Sequence, residues 1–141
     1  MPNSNYSEDV RQHLSFIQGV ITRMNSNSFS MKGWMVAIIS GLCAVYASNV
    51  SNPCSHIYFI VAILVAIIFW CLDAYYLKME RKYRDLYNHV LEDKVNTDFN
   101  MKVDEYEQCF FKAMWCSWST SPLYLSVIAL LSLATYLVSR S

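Results

Sequence analysis

Two stretches without a formal charge constrain this chain more than any other feature. Gly33–Leu72 contains no Asp, Glu, Lys or Arg, and neither does Ala113–Ser139. A soluble domain of this size must place charge on its surface, because those residue types are the ones that stay in water. A bilayer crossing needs about 20 predominantly apolar residues, and the first block is long enough for two. Its middle reads "SNVSNPCSH", a turn signal around Pro53. The sequence therefore predicts three spans, roughly Gly33–Ser48, Ile57–Leu77 and Leu123–Val138, in an all-α polytopic membrane fold.

The remaining segments follow from these spans. Residues 1–30 are expected to form an N-terminal helix, and 31–56 the first span with its outer loop. Residues 57–95 are read as a second span whose helix continues out of the membrane. A loop and an interfacial segment fill 96–121, and the third span fills 122–141. Eleven cations balance eleven acids, but they are segregated. Ten cations lie before the first span or between the second and third, against Arg140 alone on the other side. Cation bias sets orientation, which puts the N-terminus in the cytoplasm. More than thirty residues, Glu8 and Asp9 among them, precede the first apolar block, which argues against a cleavable signal peptide.

The polar segments carry helix signals. Ser7 can cap a helix with Glu8 and Asp9 in its first turn. Val10, Leu14, Ile17, Ile21 and Met24 then recur at the spacing of a helix packed on another helix. Tyr76, Met79, Tyr83, Leu86 and Val90 form a matching stripe, and neither Gly nor Pro interrupts Ile57–Val95. The expectation is a helical hairpin outside the membrane; an N-terminal helix lying flat on the bilayer is the alternative. "NTDFNMKV" reads as a loop. "DEYEQCFFKAMWCSWSTSP" reads as an amphipathic segment that opens on acids and carries Trp115 and Trp118 to the headgroup region.

Catalytic and metal-binding patterns are absent. His13, His56 and His89 fall in three segments, and the five cysteines form no CxxC pair and no zinc spacing. Gly19, Gly33 and Gly41 cannot build a phosphate loop. The expectation is a protein that is not an enzyme and carries no cofactor or metal.

What remains are three features with two readings each. Asp73 ends the long charge-free block, and a carboxylate there needs water, a partner or the protein interior. It either pairs with a cation such as Lys32 or faces a shared axis at a pore mouth. The run "KMERKYR" is either a topogenic flank or a phosphate-binding collar of Lys78, Arg81, Lys82 and Arg84. Tyr75, Tyr76 and Tyr83 would offer stacking faces beside it. In the first span Ala37, Ser40, Gly41, Ala44 and Ser48 form a small-residue stripe. Such a stripe serves close helix packing, or a pore lining through Ser40 and Ser48. The second span, bulky and apolar all round, suits lipid.

"RMNSNSFSMKGW" before the first span and "FWCLDAYYLKMERKYRDLY" after the second resemble a family of small bacterial anti-phage defence membrane proteins. The resemblance is strongest to the channel effectors of Hailong-type systems. The residues that carry it are Arg23, Asn27, Ser28, Phe29, Lys32, Gly33 and Trp34, then Phe69, Trp70, Leu72, Asp73, Ala74, Tyr75 and Tyr76. It covers about residues 10–90. It implies an inner-membrane homo-oligomer, a tetramer, forming an ion channel. The channel would be controlled by a short single-stranded DNA or nucleotide signal from a nucleotidyltransferase partner. The resemblance does not itself assign ligand residues; because entry and exit meet at one membrane depth, Arg23 and Lys32 join the collar candidates, and Asp73, Ser40, Ser48 and Tyr76 are the candidates for pore or gate. A passive membrane adaptor, whose protruding helices dock a soluble partner, is the alternative.

Overall fold

A computed structural model of the chain describes residues 7–51, 54–92, 99–115 and 121–140. The predicted turn at Pro53, the end of the extension near Val95, and Lys94, Cys116 and Trp118 lie outside the described residues. Four helices and no strand occur among the described residues: α1 (Glu8–Ser48), α2 (Ile57–Glu92), α3 (Phe110–Trp115) and α4 (Ser121–Arg140). Three of them, α1, α2 and α4, are long and apolar enough to cross a membrane. The chain is an all-α, polytopic membrane protein.

α1 starts where the capping signal lies: the Ser7 hydroxyl accepts a hydrogen bond from the Val10 amide. It then runs unbroken for 41 residues, about 60 Å at 1.5 Å per residue. The sequence reading treats residues 1–30 and the first span as separate units. They are one helix. Leaving the helix at the membrane boundary would strand backbone groups that only an intact helix satisfies in lipid. α2 is likewise continuous over 36 residues, from the apolar Ile57 to Glu92.

α1 and α2 lie against each other along two successive cores. In the polar half, Val10, Ile17 and Ile21 pack on Leu86 and Val90, with Leu14, Met79 and Tyr83 at the margin. These belong to the two predicted stripes, of which Met24 and Tyr76 are not part of this core. The loop at 99–109 closes this core by inserting Val103, with Met101 and Tyr106 beside it. Phe99 turns the loop with a φ of 53° and sets its ring 5.5 Å from that of His13. Burial, then the charges of Glu105 and Asp85, holds the Tyr106 phenol above its ordinary pKa.

In the apolar half, α2 is the central helix. Its Ala62 and Ala66 are fully buried, and with Phe59 and Trp70 they meet Met35, Ile39 and Tyr46 of α1 and Tyr124 and Leu131 of α4. The expectation of an all-lipid second span is thereby corrected. Alanines on one face let the neighbouring backbones approach, and the bulky residues Leu64, Ile67 and Ile68 point outward. The small-residue stripe of α1 does the opposite: Ala37, Ser40, Gly41, Ala44 and Ser48 are all exposed.

The 104–115 stretch also departs from expectation. The acids Asp104, Glu105 and Glu107 occupy turns and irregular chain, and the helix begins only at Phe110. Side chains elsewhere hold this segment, rather than a capped first turn.

Candidate functional site

Where the two cores meet, three helices converge on one carboxylate. Asp73 is fully buried. Lys32 of α1 places Nζ 2.6 Å from its Oδ2, with 16% of the lysine side chain exposed. Ser28 donates its hydroxyl to Asp73 Oδ1 and accepts from Lys32 Nζ at 3.0 Å. Ser28 and Lys32 are four residues apart, so they rise from one face of α1. Tyr124 of α4 is also fully buried, and its hydroxyl meets no geometric hydrogen-bond partner among the described residues. Of the two readings open for Asp73, pairing with Lys32 is what the chain contains.

Beside this cluster, α3 forms a bracket between α2 and α4. Trp70 Nε1 donates to the Met114 carbonyl at 3.3 Å, and Ser121 Oγ bonds the Met114 and Trp115 carbonyls at 2.7 and 2.8 Å. The Trp70 ring stacks on Tyr124, with centroids 6.1 Å apart and planes 8° from parallel. Met114 and Trp115 end α3, where helix carbonyls have no intrahelical donor, so a tryptophan and a serine supply one. Trp70 was visible in the sequence as part of the second span. Ser121 and Tyr124 carried no local signal, because their partners lie far along the chain.

Within one chain, the cations of the expected collar have separate surroundings. Lys32 is committed to Asp73. Arg84, exposed, pairs with Glu80 at 2.6 Å through a two-pronged contact on its own helix. Lys82 donates to the Val103 carbonyl at 3.2 Å and shares a cleft of about 360 Å³ with Lys78, Glu107, Gln108 and Cys109. Arg23 lines a different, more apolar cleft of about 420 Å³ with Ser15, Phe16, Gly19, Val20 and Met101. Arg81 is half-buried on α2, and neither it nor Arg23 forms an ion pair among the described residues.

The residues expected at a pore are dispersed as well. Ser40 and Ser48 lie on the outward face of α1, and Ser48 Oγ donates to the Ala44 carbonyl at 3.1 Å. Tyr76 is half-buried beside Tyr75, ring centroids 5.9 Å apart. Asp73 is enclosed by its own chain. Cys43, Cys54, Cys71 and Cys109 are free thiols.

Comparison with protein families, curated proteins and solved structures returned no match.

Proposed function

We propose that the chain is a subunit of an oligomeric membrane channel, an effector of bacterial anti-phage defence, gated by a phosphate-bearing signal such as a short single-stranded DNA. One structural observation supports its oligomeric part, the outward small-residue face of α1, and the defence role and signal rest on the sequence resemblance. A Cβ added at Gly41 meets nothing within 4 Å, and the Ser40 hydroxyl makes no hydrogen bond among the described residues. Small residues on a span support close approach of another helix, and an unpaired hydroxyl in hydrocarbon favours a partner. α2 and α4 instead present Leu64, Ile68, Leu130, Leu133 and Leu137, which suit lipid. Three spans in one chain are too few to enclose a pore, so the channel reading requires several copies, a tetramer by resemblance.

The orientation in this reading keeps the polar half in the cytoplasm of a bacterial inner membrane. There α1 and α2 run from the hairpin into the spans without a break, which suits transmission of a binding event to the pore. Arg23, Lys78 and Arg81 form no ion pair among the described residues and are open to a polyanionic signal, whereas Lys32 and Arg84 are paired.

Gly41→Leu tests the reading. The substitution has open space within one chain, so unfolding in detergent stays unchanged. Crosslinking of wild-type protein in native membranes should give a closed ladder of at least three copies, and Gly41→Leu should collapse it. A wild-type monomer in both membrane and mild detergent removes the channel reading. A passive adaptor is then the better account, favoured by the exposed rings of Phe16 and Phe99, 6.5 Å apart on the polar half.

A further inference from the structure

The cleft lined by Lys78, Lys82, Glu107, Gln108 and Cys109 lies beside the end of the second span. Lys78 directly follows Leu77, the last apolar residue of the second span, and Lys82 stands one turn further on the same face of α2. The opposite wall, 107–109, runs straight into α3, whose Phe111 and Trp115 are 69% and 58% exposed. Exposed aromatic rings beside a span belong to the headgroup boundary.

Both walls are pinned. Gln108 Nε2 donates to Asp85 Oδ2 at 2.7 Å, and Lys82 Nζ donates to the Val103 carbonyl at 3.2 Å. An ammonium has three protons, so Lys82 retains two for another acceptor. Lys78 has no bonded partner among the described residues. The cleft therefore offers two ammonium groups on one wall and a carboxylate on the other. We propose that it binds the headgroup of a membrane phospholipid, with the phosphate between Lys78 and Lys82 and an ethanolamine ammonium at Glu107. The place of the cleft beside the span end favours a lipid over a soluble ligand. This assignment goes beyond the channel reading and stands if that reading fails. It leaves Arg23 and Arg81 to any polyanionic signal.

The test uses purified full-length protein reconstituted in phosphatidylcholine vesicles containing a minor fraction of phosphatidylethanolamine or phosphatidylglycerol. The protein is re-extracted in mild detergent, and its retained lipid is counted by native mass spectrometry. Wild type should retain phosphatidylethanolamine, with retention about fivefold weaker for each of Lys78→Gln and Lys82→Gln. Arg81→Gln should retain it as wild type does, and Glu107→Gln should shift preference toward phosphatidylglycerol. Lys78→Arg with Lys82→Arg should keep the lipid, which separates lost charge from misfolding. Equal retention by wild type and the double Gln variant overturns the proposal. Equal loss from Arg81→Gln does so too, since the run is then a diffuse cationic flank. Displacement of the lipid by a short single-stranded oligodeoxynucleotide also overturns it, assigning the cleft to nucleic acid.

Discussion

Lys32 and Asp73 form an ion pair across the α1–α2 interface at 2.6 Å, with the aspartate side chain wholly shielded from solvent and the lysine nearly so. The pair sits at the junction between the apolar core and the polar core, and Ser28 bonds both partners. A lone charge at this depth would be expensive, and each residue makes the other tolerable.

Removing one partner should therefore cost more than removing both. Asp73→Asn and Lys32→Met are each expected to lower unfolding free energy by about 3–5 kcal/mol, through the buried charge or donor left behind. The double change Lys32→Met/Asp73→Leu should recover most of that loss. Equilibrium unfolding in mixed micelles, run as a double-mutant cycle, measures the coupling. Additive single effects would show that the pair is solvated rather than buried.

The hairpin outside the membrane should yield separately from the spans. Ile17→Ala removes a fully buried side chain from the polar core, at about 2–5 kcal/mol for a change of this type. Amide exchange should accelerate from Met79 to Val90 of α2, while amides near Ala62 and Ala66 stay protected. Equal acceleration in both halves would mean that the two cores open as one unit.

How much of this was legible in the sequence varies with the solvent around each element. The hairpin was readable because water contrasts with apolar stripes: Val10, Ile17 and Ile21 recur at helical spacing, and Leu86 and Val90 answer them. The Lys32–Asp73 pair was readable because a charge beside an apolar block needs a partner. Packing inside the spans was not. Lipid and protein interior are equally apolar there, so the buried Ala62 and Ala66 look no different from the lipid-facing Ile67 and Ile68. The α3 bracket was hidden for another reason. Its Trp70–Met114 and Ser121–Met114 bonds are set by tertiary geometry, and a six-residue helix has no periodic signature of its own.

Topology can be checked by labelling intact cells. In a cysteine-free background, a reporter cysteine at Val50 should react with an impermeant maleimide, and one at Asn100 should react only after permeabilisation. The reverse pattern would invert the orientation and move the charged hairpin to the outer face, against the ten-to-one cation bias.

The channel claim itself is tested most directly by planar-bilayer recording of the purified full-length protein. The account predicts discrete unitary current steps whose open probability changes when a short single-stranded DNA is added on the side carrying the α1–α2 hairpin, and not when it is added on the other. Arg23→Gln with Arg81→Gln should keep the steps and abolish that response. An electrically silent bilayer in every condition, with reconstitution verified by protease protection, would contradict the account.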